Sequence, residues 1–484
     1  MSKNNTSVAS NFLWKFAERI SAQLVTLVVS VVLARLLEPS HYGIISMVMV
    51  FITIANVFVS DGFGSALIQK KDADRLDFSS VLVANLSLSV ILYFVLFFTA
   101  PFIEKFFGNN YQLLTPVIRV LSLRLILSAV NSVQQAYVSR KMIFKKFFWA
   151  TLSGTVISAV VGIAMAYKGL GVWALVAQYL TNTTIDTIIL QLSLKKWPGF
   201  KISFDRLKSL FSFGWKILGA SLLNNGYQEL RTLLIGKFYT SADLAYYSKG
   251  NQFPSIVVIN INTSIGSVLF PKLSTMQDDI QLMKNSVRKS IRLSAYLLTP
   301  MMFGLAAIST PFIRFLLTDK WLLAVPFLQL FCIYYLAQPI HTANIQAIKA
   351  LGRSDILLKL EIIKKVIELT ALVISLTISV TAVAVVAVIL NYLFIFINAY
   401  PNKKLMGYTT KEQLSDLIPI LLLGVIMGGV VIMLGRLPLA DLPLMAIQIV
   451  AGIVVYLMLS IITGKKEFYI LFDFVKSFLK SHIH

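Results

Sequence analysis

Charged residues are scarce in this chain of 484 residues: Asp, Glu, Lys and Arg make up 14% of it, whereas apolar residues make up 57% and the mean hydropathy is +0.77. Soluble domains contain about 25% charged and about 45–50% apolar residues. Apolar stretches of about 20 residues, each long enough to cross a bilayer as a helix, recur along the chain. The scarcity of charge therefore excludes a soluble protein and predicts an all-α polytopic membrane protein.

Cysteine is nearly absent, since Cys332 is the only one in the sequence and lies within an apolar stretch. A single cysteine excludes an intrachain disulfide and a cysteine-based metal site, so we interpret it as a small apolar filler. The four histidines are scattered, and His41 and His341 lack the spacing of metal ligands. The sequence also contains no nucleotide-binding motif. We therefore predict no metal, no cofactor and no enzymatic activity.

Acidic residues are half as frequent as basic ones, 22 against 44, which gives a net charge of +22. Hydropathy predicts fourteen spans. The first apolar run of the chain carries Lys15, Glu18 and Arg19 and has no cleavage site, so we assign it to a membrane helix and not to a signal peptide. The predicted spans are 12–36, 43–69, 78–100, 113–139, 148–167, 170–193, 211–236, 244–270, 289–310, 322–348, 357–379, 381–400, 416–435 and 442–463. The connections near Lys168 and Ser379 are very short.

The excess of Lys and Arg is concentrated on one side of the membrane in the predicted topology. If the N-terminus is cytoplasmic, 28 Lys and Arg fall in the cytoplasmic segments and 6 in the outer loops. Cytoplasmic loops of membrane proteins collect Lys and Arg, which face anionic headgroups. The distribution predicts that both termini are cytoplasmic, and it attributes the positive charge to contact with membrane lipids and not to nucleic acid.

The sequence contains an internal repeat. At an offset of 202 residues, 35–70 aligns with 237–272 without a gap, and Gly64–Leu67 matches Gly266–Leu269. The repeated unit contains six spans, an even number, so both copies enter the membrane from the same side. We predict two pseudo-symmetric six-helix lobes around a central cavity, at 1–200 and 201–405, followed by two additional helices and a cytoplasmic tail at 406–484.

Ionisable side chains within the spans are the main candidates for a functional site. Charges are expensive inside a bilayer and usually face a bundle interior or a watery cavity. The predicted cationic cavity is lined by Arg19, Arg124, Arg231, Lys15, Lys216 and Lys249, and the candidates for counter-charge or ion coupling are Glu18, Asp61, Asp186 and Glu229. A cationic chamber suits an anionic substrate, and the guanidinium group binds pyrophosphate through two parallel hydrogen bonds.

Structural roles are the alternative for several of these groups. Lys15 and Lys216 lie near helix ends, where a lysine side chain can snorkel to the interface. The deeper arginines can form ion pairs with Glu18, Asp61 or Glu229. Lys364 and Lys365 lie four residues from Glu368 and Glu361, so we predict local helix ion pairs for them and no contact with substrate.

Several short segments carry a resemblance to a known group of proteins. These segments are Leu33–Pro39, Asp61–Gln69, Leu244–Lys249 and Leu351–Asp355. They resemble the multidrug/oligosaccharidyl-lipid/polysaccharide exporter superfamily, and within it the Wzx-type flippases, especially the branch of colanic-acid and teichuronic-acid exporters. The resemblance implies two six-helix lobes, alternating access, and a cargo linked to polyprenyl pyrophosphate.

Together these observations predict a flippase in the bacterial inner membrane. The resemblance implies as its cargo an undecaprenyl-pyrophosphate-linked oligosaccharide for surface polysaccharide synthesis, and as its partners a polysaccharide polymerase and glycosyltransferases. A multidrug cation antiporter of the same fold is the alternative, but that function prefers acidic groups that attract cationic drugs, whereas the charged groups of these spans are mainly Arg and Lys. A membrane glycosyltransferase or polymerase would need a catalytic acid pair or a large outer loop, and the sequence has neither.

Overall fold

The computed structural model of the protein describes residues 21–70, 72–108, 111–194 and 199–482. Within these ranges the regular structure is helical, because inside a bilayer each backbone N–H and C=O must find a partner within its own segment. The helices are α1 (Ser21–Leu36), α2 (Pro39–Gln69), α3 (Arg75–Phe107), α4 (Leu114–Leu121), α5 (Arg124–Lys141), α6 (Phe144–Tyr167), α7 (Val172–Ser193), α8 (Phe204–Phe238), α9 (Ser241–Ser274), α10 (Ile280–Ala307), α11 (Ser309–Leu317), α12 (Val325–Tyr335), α13 (Gln338–Ala350), α14 (Ser354–Leu376), α15 (Val380–Met406), α16 (Thr410–Leu434), α17 (Asp441–Ile462) and α18 (Lys466–His482), with a 3₁₀ helix at Asp319–Ala324.

In the described part of the chain, nine helical segments are long and apolar enough to cross a membrane. A tenth is formed if Asp319–Tyr335 and Gln338–Ala350, which are bent by 40° at their junction, make one span. Every predicted span overlaps a described helix. The protein is thus an all-α, multi-pass membrane protein, as predicted, while the count of fourteen spans stays a prediction.

Two very short connections separate helices as the sequence indicated. Between α6 and α7, Gly169 and Gly171 adopt positive φ angles of 73° and 55°, which glycine tolerates because it has no Cβ. Between α14 and α15, the Ser379 side chain accepts a hydrogen bond from the Ala382 amide at 3.0 Å and caps α15. Both predicted span pairs are therefore distinct helices.

The helix order recurs along the chain. Pro39 and Ser241, the first residues of α2 and α9, are 202 positions apart, the offset at which the sequence repeats. After them come, in each copy, a long helix (α3 or α10), a helix pair broken in the middle (α4 with α5, or α12 with α13), and two further helices (α6 and α7, or α14 and α15). The second copy differs in having the short α11 and the 3₁₀ helix between α10 and α12. The repeat in the sequence therefore has a counterpart in the order of the helices.

The chain divides into two compact units, 1–245 and 246–484. In the first unit, α2 packs against α5 and α8, and α6 packs against α7. In the second unit, α10 packs against α16, and α16 packs against α17. A buried cluster in this unit joins Leu273, Ile291, Ile340 and Leu423 from four helices. The predicted lobe boundaries at 200 and 405 stay a prediction.

Large apolar side chains cover the outer faces of several helices. Leu422, Val425 and Ile426 of α16 are exposed, as are Val450 and Ile453 of α17. Such continuous apolar surface is rare on soluble monomers and matches the hydrocarbon of a bilayer. Cys332 is buried in α12, in agreement with its interpretation as an apolar filler.

The lysines of α14 form local ion pairs, but with other partners than predicted. Lys364 Nζ lies 2.6 Å from Glu361 Oε1, and Lys365 Nζ lies 2.8 Å from Glu368 Oε2. Both pairs are three residues apart in sequence, whereas we predicted pairs four residues apart. Either spacing brings two side chains onto one helix face, so the spacing alone does not decide between them.

Candidate functional site

A row of polar side chains lies along the contact between α5 and α7 in the first unit; we call it the α5–α7 seam. It consists of Arg124, Asn131, Gln134 and Gln135 on α5, and Tyr179, Thr183, Asp186 and Thr187 on α7. On α7, Thr183 follows Tyr179 by four positions, and Asp186 and Thr187 follow Thr183 by three and four, which places them on one face of the helix. Polar groups therefore face each other across two predicted membrane spans.

Arg124 begins α5 and is held there without a carboxylate. Its Nε donates to Thr183 Oγ1 at 3.0 Å, its guanidinium carbon lies 5.5 Å from the centre of the Tyr179 ring, and its Nη1 lies 4.0 Å from Met49 Sδ. Within the described ranges Arg124 forms no ion pair. A half-buried guanidinium group has five N–H donors, so this cation keeps donors available for an anion.

The acidic member of the α5–α7 seam lies farther along it. Asp186 Oδ2 accepts a hydrogen bond from Asn131 Nδ2 at 3.0 Å, and Asn131 Oδ1 in turn accepts from Gln135 Nε2 at 2.5 Å. Gln134 Nε2 donates to the Thr187 carbonyl at 3.1 Å. A charged acceptor strengthens such a chain of hydrogen bonds. The structure thus brings together two residues singled out from the sequence, Arg124 and Asp186, in a single seam.

Two more predicted residues, Glu229 and Arg231, lie on α8 of the first unit. The Arg231 guanidinium carbon lies 5.2 Å from the centre of the Tyr227 ring, and Arg231 is half-buried. Glu229 is also half-buried and, in the described part of the chain, forms no ion pair. Because they are two positions apart on a helix, the two side chains do not share a face.

Lys249 lies in the second unit, on α9. Its side chain is buried, and its Nζ lies 5.8 Å from the centre of the Trp321 ring. The face of an indole ring attracts a cation, so this contact stabilises the buried ammonium group.

Five predicted site residues are outside what the structure describes. Lys15, Glu18 and Arg19 precede residue 21, and the side chains of Asp61 and Lys216 are not described although both residues belong to helices. For these residues the predicted roles remain predictions.

The sequence reasoning missed the partners of Arg124. Tyr179 and Thr183 are uncharged, and only charged groups in α7 drew attention. Their spacing along the predicted span 170–193 was the available signal, because residues at steps of three and four share one helix face.

The architecture matches that of solved transporters. It resembles the lipid II flippase MurJ in its inward closed conformation, with a TM-score of 0.76, 16% identity, and coverage of 93% of this chain and 98% of that one. It also resembles an inward-facing MATE family multidrug resistance transporter of the MOP superfamily, with a TM-score of 0.63, 14% identity, and coverage of 80% and 95%. Likeness at such identities concerns the fold, which this chain shares with these two transporters.

Residues 32–326 match the family described as polysaccharide biosynthesis protein, and the chain belongs to this family. This confirms the resemblance inferred from the short segments. The succinoglycan biosynthesis transport protein ExoT of Rhizobium meliloti (strain 1021) is 26% identical over 328 residues, covering 68% of this chain and 66% of that protein.

Two further relatives also carry surface-polysaccharide names. The teichuronic acid biosynthesis protein TuaB of Bacillus subtilis (strain 168) is 25% identical over 304 residues, covering 62% of each protein. The lipopolysaccharide biosynthesis protein WzxC of Escherichia coli (strain K12) is 22% identical over 351 residues, covering 72% of this chain and 71% of that one. The matches to ExoT and TuaB span less than two thirds of those proteins' lengths.

Proposed function

We propose that the chain is a flippase that moves an oligosaccharide linked to a polyprenyl pyrophosphate from the inner to the outer leaflet for surface polysaccharide synthesis. Its family membership and the names of three relatives, which concern succinoglycan, teichuronic acid and lipopolysaccharide, support a role in polysaccharide export. Its fold is shared with a lipid II flippase. Alternating access would expose the cargo headgroup first to one side of the membrane and then to the other.

The proposal rests on the position of Arg124, a cation in a predicted membrane span that contacts no carboxylate in the described part of the chain. A cation placed within a membrane span is costly unless it meets an anion or water. Arg124 meets the neutral Thr183 hydroxyl and the Tyr179 ring instead of a carboxylate, so its charge is not neutralised by the described protein. A pyrophosphate group supplies that missing negative charge and accepts parallel hydrogen bonds from one guanidinium.

Lys249 supports a cationic surface in the second unit. Its buried ammonium group contacts the face of the Trp321 ring, so the second unit also holds a cation inside a predicted span. Arg19, Arg231, Lys15 and Lys216 complete the set of cations that we propose around the headgroup. Glu18, Asp61, Asp186 and Glu229 are the groups that we propose for counter-charge or ion coupling.

The test replaces Arg124 in cells whose surface polysaccharide depends on this gene. We expect R124A and R124Q to abolish surface polysaccharide and to make lipid-linked intermediates accumulate, because no other described cation takes the place of Arg124 in the α5–α7 seam. R124K keeps the charge without the planar donor pair, so we expect it to retain only partial export.

The control for these variants is R436A, which removes an exposed arginine between α16 and α17. It should leave export unchanged. Immunoblotting of membranes establishes that all variants are equally abundant. Normal polysaccharide in R124A cells would refute the proposed role of Arg124.

The alternative function, a multidrug cation antiporter, shares the fold but needs an acidic site for its cargo. Arg124 opposes a cationic substrate, whereas Asp186 is hydrogen-bonded to Asn131. A drug-susceptibility panel on cells that lack the gene separates the two functions: we expect unchanged drug tolerance and lost polysaccharide.

We further propose that the protein resides in the bacterial inner membrane with both termini in the cytoplasm, and that it works beside a polysaccharide polymerase and glycosyltransferases. The excess of Lys and Arg in alternate loops supports this orientation. Reporter fusions that are active on only one side of the membrane test it at each terminus.

A further inference from the structure

A second polar seam lies in the second unit, between α13 and α15, and His341 is at its centre. The imidazole is buried, and its two nitrogens contact two residues of α15: Nε2 lies 3.0 Å from the Asn391 carbonyl oxygen, and Nδ1 lies 2.8 Å from Asn398 Nδ2. Asn391 Nδ2 donates to the Tyr334 carbonyl at 2.7 Å, so Asn391 is itself held in place. His341 thus connects two helices at defined atoms.

With the Asn398 amide in this orientation, the contacts correspond to one protonation state of the ring. A carbonyl oxygen only accepts, so Nε2 carries the hydrogen and donates it to Asn391. An amide nitrogen donates, so Nδ1 is the acceptor for Asn398. The ring is therefore neutral in this arrangement, and Nδ1 is the single position at which it can take up a proton.

Asn398 has the means to accept either form of the ring. Its side chain is buried, and its Oδ1 has no hydrogen-bond partner among the described residues. A half turn of the amide brings Oδ1 to the place of Nδ2. A protonated His341 then donates from Nδ1 to Asn398 Oδ1 and from Nε2 to the Asn391 carbonyl, so both of its N–H groups are satisfied and a buried acceptor gains its missing donor.

His341 also belongs to a candidate membrane span. Asp319–Tyr335 and Gln338–Ala350 are together long and apolar enough to cross a bilayer, and His341 is the fourth residue after the break, nine residues or about 14 Å before the end of α13. Because the hydrocarbon core is about 30 Å thick, we infer that the ring lies well inside this span. A titratable group at that depth is rare in membrane proteins and commonly marks an ion pathway.

The charged groups around the ring belong mainly to α14. Lys364 and Glu361 of that helix interact electrostatically with His341 and form an ion pair with each other at 2.6 Å. α15 contributes two uncharged groups to the ring, the backbone carbonyl of Asn391 and the side-chain amide of Asn398. On α10, which also packs against α13, Lys284, Arg288 and Arg292 are bound to Glu412, Asp416 and Glu467, whereas Lys289 is exposed.

The two seams occupy corresponding helices of the repeat. In the first unit the polar contacts join α5 and α7, and in the second unit they join α13 and α15. α5 and α13 each follow a break in a bent pair, and α7 and α15 are each the last helix of a copy. The first seam holds a fixed positive charge, Arg124, whereas the second holds a group whose charge depends on pH.

We propose that His341, together with Asn391 and Asn398, is a proton-binding site of the second unit, with the Asn398 amide turning between two orientations as the ring gains and loses its proton. The proposal deepens the proposed flippase function by naming an ion that the protein takes up, and it rests on that function only for the transport measurement below. Proton uptake adds a positive charge beside the Lys364–Glu361 pair. The free energy with which α13, α14 and α15 pack together therefore depends on whether the ring is protonated.

The direct test is a ¹⁵N NMR titration of histidine-labelled, full-length protein in lipid nanodiscs between about pH 8 and about pH 4, since ring ¹⁵N signals distinguish the two neutral tautomers and the cation. H341Q assigns the His341 signal by its loss. At high pH we expect a neutral ring with its hydrogen on Nε2, and on acidification a cation. A ring that keeps one state over the whole range in which the protein stays folded would overturn the proposal.

Variants of Asn398 test the geometry. N398D places a carboxylate at Nδ1 and should move the protonation midpoint to higher pH by about 1–3 units. N398L removes the acceptor that the cation needs and should move the midpoint to lower pH. The matched control is N402L, on the next turn of α15, because Asn402 binds Asn344 and not His341. Equal midpoints in N398D, N398L and N402L would also refute the site.

A transport measurement separates failure of this site from failure of the proposed function. In proteoliposomes that contain lipid-linked oligosaccharide, we expect an imposed pH gradient to change the flipping rate of the wild type several-fold and that of H341Q much less. A ring that titrates in a protein without flipping activity would refute the flippase and keep the proton site. A ring that does not titrate in an active flippase would refute the proton site alone.

Discussion

The Oδ1 atom of Asp77 lies 2.7 Å from Nζ of Lys70, and the Asp77 carboxylate is fully buried. Arg206 of α8 approaches the other carboxylate oxygen at 3.6 Å. Asp77 therefore neutralises two cations and joins the end of α2, the start of α3 and the start of α8. Removing a buried partner of this kind leaves uncompensated charge, which costs far more than the loss of an exposed pair.

We expect D77A to lower the free energy of unfolding by about 2–3 kcal/mol, somewhat below the cost of breaking a wholly buried pair because Lys70 and Arg206 remain partly exposed. Chemical unfolding of the purified protein in detergent measures this loss. The control is D355A, which breaks the exposed Arg353–Asp355 pair and should cause no detectable change. A similar loss in both variants would contradict the importance of burial.

Asp74 gives α3 a pH-dependent cap. Its side chain accepts a hydrogen bond from the Asp77 amide at 2.9 Å, and this bond, assisted by the nearby Arg206, holds the pKa of Asp74 below its ordinary value. A carboxyl group with a lowered pKa in the folded state stabilises fully above its unfolded pKa of about 3.9 and loses that contribution as the pH falls through the lower folded value.

We therefore expect the stability of the wild type to fall on acidification below about pH 3.9 in part through Asp74. D74N keeps an oxygen for the cap but does not titrate, so its stability should depend less on pH in that range. Thermal unfolding at a series of pH values compares the two slopes. Parallel slopes would show that the Asp74 cap makes no linked contribution.

Gly424 allows α16 to approach α10 closely. A Cβ atom at this position would lie 2.3 Å from Thr299 Cγ2 and 2.5 Å from Phe303 Cδ2, well inside van der Waals contact. G424A should therefore lower the free energy of unfolding by about 1–3 kcal/mol, the usual cost of overpacking. Gly429 on the same helix has open space around it, so G429A is the matched control.

G429A should be neutral or slightly stabilising, because alanine is the better helix former by up to about 1 kcal/mol. Thermal melting curves of the two variants in detergent decide the matter. If G424A melts at the wild-type temperature, α10 and α16 can separate at no cost, and the close contact does not stabilise the second unit.

Helix positions could be predicted from the sequence because a bilayer leaves few choices. An apolar stretch of the right length must satisfy its own backbone groups, so each predicted span overlaps a helix. Even the short connections at Gly169 and Ser379 were placed correctly, since glycine and a capping serine interrupt helices by local chemistry. Helix α18 was not predicted, because its apolar residues alternate with charges and resemble a polar tail.

The site was only partly predictable. Arg124 drew attention because a charge in an apolar stretch is conspicuous in the sequence. Its partner Thr183 is 59 positions away, and no local pattern tells which faces of two helices will meet. His341 was set aside as an isolated histidine, since its partners Asn391 and Asn398 are 50 and 57 positions away in sequence. Which residues of different helices come into contact is determined by tertiary packing, and composition and periodicity do not predict it.

The hydrogen bond from Asn131 to Asp186 gives the last prediction. D186N removes the single described negative charge of the α5–α7 seam and replaces a charged acceptor by a neutral one. Hydrogen bonds to charged groups contribute about 1.5–3 kcal/mol, so the arrangement of α5 against α7 should weaken and the initial rate of flipping in proteoliposomes should fall about tenfold. If Asp186 served packing alone, an amide of the same shape would preserve the rate.

The charge-swapped double variant N131D/D186N distinguishes these roles. It restores one carboxylate and one amide at hydrogen-bond distance, but on exchanged helices. Recovery of most of the flipping rate would show that the seam needs the pair, wherever the charge resides. If the rate stays as low as in D186N while protein abundance and melting temperature are normal, the carboxylate is needed on α7 itself. There it lies about one helical turn from Thr183, which accepts the hydrogen bond of Arg124.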